Sequence, residues 1–79
     1  MKIYDYNGKK NLCGEMLRKL RHEKMMTQEE LCSQMQLHGV VVDRFAIAKI
    51  EAGTRFVADY ELYVLAQIFE IKLEEFFEK

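Results

Sequence analysis

The sequence predicts an all-α fold, a compact bundle of about five short helices. Three observations carry that expectation. There is no proline, and glycine is confined to positions 8, 14, 39 and 53. Apolar residues recur at three- and four-residue intervals through most of the chain, the spacing of one helical face. The 79 residues, 49% apolar and 32% charged, suit one small globular domain rather than a disordered segment. At this length a single core is close to the minimum that holds a fold unaided, so close helix packing must supply the stability.

Residues 1–10 read as a lead-in, with Asn7-Gly8 as a turn signal. They fit a loose arm, a short extended segment or an added helical turn. Residues 11–79 form the domain. A first helix is expected from about Asn11, a plausible N-cap, to Glu23. Cys13, Leu17 and Leu20 share its inner face, and Arg18, Lys19 and Arg21 flank it.

The second helix has a clear start. Thr27 followed by Glu30 is a capping box, in which hydroxyl and carboxylate each satisfy the other residue's free amide. Met26 is placed to staple onto Leu31. Leu31, Cys32 and Met35 face inward, and the helix is expected to end near Gln36. The stretch Leu37-His38-Gly39-Val40-Val41-Val42 is β-branched and glycine-containing, which favours an extended turn.

Asp43 is the expected N-cap of a third helix running through Ala52, with Gly53 as its left-handed terminator. Ala46 or Ile47, together with Ile50, should pack inward, while Arg44, Phe45, Ala48 and Lys49 project elsewhere. A fourth helix is expected from Asp59, as N-cap, to about Glu70, burying Leu62, Leu65, Ala66 and Phe69. A short fifth helix, roughly Lys72 to Glu78, would be anchored by Leu73, Phe76 and Phe77.

Helices two and three, a turn between them, and cationic side chains on the outer face of the second are the parts of a helix-turn-helix. That motif lays one helix in the DNA major groove. The net charge of −1 argues weakly against such a role, but its distribution is uneven. Residues 1–55 hold ten Lys+Arg against seven Asp+Glu, a balance of +3. Residues 56–79 hold two against six, a balance of −4. The positive end coincides with the motif, where it can steer a duplex.

Two cysteines, both within helical patterns, do not make a secreted disulfide scaffold. No leader-like apolar stretch opens the chain and no run is long enough to span a membrane, so the cytoplasm is the expected location. Cys13, Cys32, His22 and His38 lack the paired spacing of a zinc clip, and no metal or cofactor is expected. No nucleophile–base–acid set or phosphate loop appears, and enzyme activity is not expected.

Taken in order, the residues resemble the Cro/repressor-type helix-turn-helix domains of phage repressors and bacterial regulators, the lambda-repressor-like fold. The resemblance lies in Leu20-Arg21, Thr27-Gln28-Glu29-Glu30-Leu31, then Ile47 and Lys49-Ile50-Glu51-Ala52-Gly53. It continues through Asp59, Glu61-Leu62, Leu65-Ala66, Phe69 and the Leu73…Phe76 ending, so it covers most of the chain. Two departures stand out. The turn around Leu37–Val41 holds about five residues more than is usual between such helices. Met25 stands where the family commonly has a glycine closing the first helix.

The resemblance implies sequence-specific binding to double-stranded DNA as a transcriptional regulator, as a homodimer on a two-fold site. It places Arg44 and Phe45 against base edges, guanine acceptors and a thymine methyl respectively, with Lys49 reaching a base or a phosphate. It makes Gln28 a phosphate clamp at a helix N-terminus, and Thr54 and Arg55 a backbone-contacting loop. Arg21 and Glu51 become a partly buried pair that fixes the third helix against the first, with Thr27 and Gly53 as structural support. Each has a plainer alternative. Arg44, Lys49 and Gln28 suit an ordinary solvated face, Phe45 suits a core position, and Arg55 suits an ion pair with a nearby carboxylate. The rival for the whole chain is a protein-interaction module, or an antitoxin-like partner protein, with weak or no DNA binding of its own.

Overall fold

The computed structural model describes residues 6–77. Four α-helices, α1 Gly14–Glu23, α2 Gln28–Leu37, α3 Arg44–Ala52 and α4 Asp59–Phe69, are followed by a 3-10 helix, Leu73–Phe77. Extended pairing among the described residues is limited to one bridge between Tyr6 and Lys9. Residues 1–5 of the expected lead-in, and Glu78 at the expected end of the fifth helix, lie outside the described residues.

Helix starts follow local chemistry. At α2 the Thr27 hydroxyl accepts the Glu30 amide at 3.0 Å, and the Glu30 carboxylate accepts the Thr27 amide at 2.8 Å. At α3 the Asp43 carboxylate accepts the Ala46 amide at 2.8 Å. Two expected starts need correction. Asn11 caps from a distance: its Oδ1 accepts the Gly14 amide at 2.9 Å, so α1 begins three residues later than its cap. Asp59 is the first residue of α4 rather than its cap, because Glu61 reaches back to accept the Ala58 amide at 2.9 Å.

All four α-helices end alike. Met25, Gly39, Gly53 and Glu70 take the left-handed conformation, with φ of 52°, 85°, 80° and 55°. The next amide then returns to the last helical turn, Met26 to Arg21, Val40 to Met35, Thr54 to Lys49 and Ile71 to Ala66, at 2.9–3.1 Å. This is the Schellman closure, and glycine adopts it without cost. Met25 and Glu70 adopt it against the preference of an L-residue.

The core is assembled from every helix. Leu17, Leu31, Met35, Ile47, Ile50, Leu65 and Phe76 are fully buried, with Cys13, Val64, Ala66 and Phe69 around them. Leu20, Cys32 and Leu62 are half-buried against this cluster. The α3 helix packs on both α1 and α2. At Gly14 a β-carbon would collide with the Ile50 carbonyl, so glycine permits the close approach of α1 to the end of α3.

Of the three anchors expected in the last segment, only Phe76 is buried, while Leu73 and Phe77 are exposed. That segment is 3-10 rather than α. It spans five residues and is opened by the Glu75 carboxylate accepting the Lys72 amide at 2.7 Å. Residues 6–10 of the lead-in are extended around a turn: Tyr6 and Lys9 exchange backbone bonds of 2.7 and 3.0 Å around Asn7 and Gly8, both at positive φ. That is the two-residue hairpin an Asn-Gly pair favours. No helix among the described residues is long and apolar enough to cross a membrane.

Candidate nucleic-acid interface

Burying Ile47 and Ile50 dictates what α3 turns outward. Arg44 and Phe45 stand in solvent, at 57% side-chain and 62% residue exposure, and Lys49 is exposed one turn later. Phe45 is therefore not a core residue. The Arg44 guanidinium lies over the Phe45 ring, 5.0 Å from its centroid. Its contact with the Glu29 carboxylate is long, 4.0 Å, and exposed on both sides, an arrangement that contributes little and yields easily. The connection 38–43 does not cover these groups. Within it Val40 and Val42 pack on the core while Val41 points outward, the alternation of an extended strand.

Phe45, Ala46 and Lys49 form one wall of an open groove of about 410 Å³. Asp43 from the start of α3, Thr54, Arg55 and Phe56 from the following loop, and Lys10 from the lead-in complete it. Four of the six expected contact residues thus share one concavity. The Thr54 hydroxyl donates to the Lys49 carbonyl at 3.3 Å, where its own amide also binds at 2.9 Å.

Arg55 lines the groove, yet its fork is committed elsewhere. Its Nη1 and Nη2 donate to Glu61 at 2.9 and 3.0 Å, and Nη1 also to the Phe56 carbonyl at 3.0 Å. The Glu61 carboxylate is 5% exposed, and the guanidinium beside it holds its carboxyl below the ordinary range. The same hydrogen bonds push the Arg55 guanidinium up. Of the two readings of Arg55, the structure contains the ion pair. It fastens the loop after α3 to the start of α4.

Gln28, the first residue of α2, is half-buried. Its Nε2 donates to Glu51 Oε1 at 3.3 Å, which ties the start of α2 to the end of α3. Arg21 and Glu51 make the pair the resemblance implies. Nε donates to Oε2 at 2.7 Å and Nη2 to Oε1 at 3.0 Å, while Nη1 donates to the Met26 carbonyl at 2.8 Å. Their side chains are 12% and 6% exposed. The hydrogen-bonded carboxylate raises the Arg21 guanidinium above its ordinary value.

Three residues carry interface contacts that their sequence positions did not suggest, Asn11 having been expected only as an N-cap. Asn11 donates from Nδ2 to the Ile50 carbonyl at 3.1 Å and the Arg55 carbonyl at 2.8 Å, joining the lead-in to the last turn of α3 and to the loop after it. The Lys10 amide donates to the Gly53 carbonyl at 2.8 Å, and its ammonium lies 5.6 Å from the Phe56 centroid. Gly14 is the third. Only the Asn7-Gly8 turn hinted at an ordered lead-in, and nothing local to the sequence announced its docking.

Burial pushes the Cys13 thiol up to about 11 and raises Cys32 as well, with Asp43 and Glu29 adding to the latter. Neither is a ready thiolate. Among the described residues no group of three or more His, Cys, Asp or Glu is placed to hold a metal ion. No family model matches the chain, and no similar curated protein or solved structure was found.

Proposed function

We propose that this chain is a sequence-specific double-stranded DNA-binding domain of the Cro/repressor helix-turn-helix kind, acting as a cytoplasmic transcriptional regulator. The α2 and α3 helices form the motif and α3 is its reading helix. One observation carries the proposal: Arg44, Phe45 and Lys49 project together from the face of α3 opposite Ile47 and Ile50, uncovered by the connection before them. An exposed helix N-terminus bearing an arginine fits the major groove, where a guanidinium forks onto guanine and an apolar ring meets a thymine methyl. Lys49 and Thr54 then lie toward the phosphates, and the amides at the start of α2, beside Gln28, favour an anion.

Regulation follows from occupancy of a site, without catalysis, metal or cofactor. A single reading helix covers few base pairs, so two copies on a two-fold site accompany this proposal. The exposed Phe77 near the chain's end is the side chain we place at their seam.

A second reading, a protein-interaction or antitoxin-like module, is favoured by apolar side chains exposed away from α3. Leu37, Val41, Tyr60 and Tyr63 are each more than half exposed. Selection from a random duplex pool, followed by a salt titration, distinguishes the two. Groove reading gives an enriched palindrome and affinity that falls steeply between about 50 mM and about 200 mM salt. No enrichment and salt-insensitive capture of a protein would support the module.

A further inference from the structure

The lead-in carries two adjacent lysines that the fold sends in different directions. Lys9 folds back on the domain: its stem lies against Gly53 and its ammonium sits 3.8 Å from the exposed Glu15 carboxylate. Lys10 turns instead into the groove that α3 borders, in company with Lys49 and Thr54. Alternation along an extended segment accounts for the split.

Its position is fixed, not that of a trailing arm. The Lys10 amide is bonded to the Gly53 carbonyl at 2.8 Å, and the next residue, Asn11, holds the Ile50 and Arg55 carbonyls. The ammonium rests 5.6 Å from the Phe56 ring centroid, which orients it without neutralising it. The carboxylate bordering the groove, Asp43, is engaged with the Ala46 amide. Glu61, beneath the loop, is paired with Arg55.

From this we infer that Lys10 is a phosphate-contacting residue, forming with Lys49 and Thr54 a second anchor on the duplex backbone at the far end of α3. The inference rests on the DNA-binding reading above. It assigns to Lys10 a positioning function: a backbone contact beside the last turn of α3, where the Lys10 amide bonds Gly53, holds the helix in register along the groove. A phosphate contact carries no base preference, so its loss weakens all sequences alike.

The test is a salt titration of binding to two labelled duplexes, one selected from the random pool and one of mixed sequence. Lys10→Ala keeps the backbone bond to Gly53 and with it the fold, which a thermal melt checks. The slope of log affinity against log salt should fall by about one, with about a fivefold loss near physiological salt on both duplexes. Lys10→Arg should restore both, and Lys72→Ala, on the loop after α4, should alter neither. An unchanged slope in a variant that still melts like the parent overturns the Lys10 assignment alone, as does a loss confined to the selected duplex. Absence of salt-dependent binding by the parent protein overturns that assignment and the DNA-binding reading together.

Discussion

Replacing Arg21 by alanine tests how α3 is held. The change removes the two hydrogen bonds that fork onto Glu51, the one to the Met26 carbonyl and an exposed contact with His22 Nε2. It leaves a carboxylate that is 6% exposed with Gln28 Nε2, at 3.3 Å, as its remaining side-chain partner. An orphaned charge in such a setting costs about 3–5 kcal/mol. A domain of this size is stable by only about 4–12 kcal/mol, so the variant loses about a quarter of its stability or more. At about 4–8 °C per kcal/mol, the melting temperature should fall by at least about 12 °C in a circular-dichroism melt. Duplex binding should fail in step with unfolding. The double variant Arg21→Met/Glu51→Met removes both charges and should recover much of the loss, giving strong non-additivity in the cycle. A melting temperature within about 1 °C of the parent, or two single effects that simply add, would refute the reasoning.

Met25→Gly should stabilise. A left-handed methionine, 90% exposed, costs about 1–2 kcal/mol, and glycine's extra freedom in the unfolded chain returns part of the gain. A rise of about 2–8 °C is expected in the same melt, and a fall would show that the side chain holds something in place. Glu29→Gln removes the carboxylate beside Arg44 and should tighten duplex binding about twofold to fivefold at low salt; unchanged affinity would mean that Arg44 does not meet the duplex. Because Arg55 holds the folded-state carboxyl of Glu61 below its ordinary value of 4.5, this group stabilises the fold above that pH. Its contribution is lost as pH falls through the folded value. Melts from neutral pH down to about pH 3 should therefore show Glu61→Gln starting less stable and losing less below about pH 4.5 than the parent.

What was legible in the sequence had local causes. Thr27 with Glu30, and Asp43 with Gly53, mark helix ends through atoms a few residues apart, so α2 and α3 and the outward face of Arg44, Phe45 and Lys49 follow from spacing. Errors arose where a side chain acts across a gap. Asn11 caps a helix three residues ahead, and Glu61 supplies the Ala58 amide with the acceptor that moved the start of α4 away from Asp59. The Arg55–Glu61 pair spans six residues around a bend, a spacing no helix or strand period predicts. The docking of Lys10 and Asn11 on residues 50–55 was out of reach, because it depends on where α3 ends in space.

Asn11 also decides which neighbours in sequence space remain open to this chain. One carboxamide gives hydrogens to two main-chain oxygens and takes one from an amide. Aspartate would fill the same volume with nearly the same outline, yet it would turn a second lone-pair atom toward the Ile50 and Arg55 oxygens. Drift at position 11 is thus filtered by the number of protons a side chain can offer, so a swap that similarity scales rate as mild would unseat the lead-in, the close of α3 and the bend beyond it together.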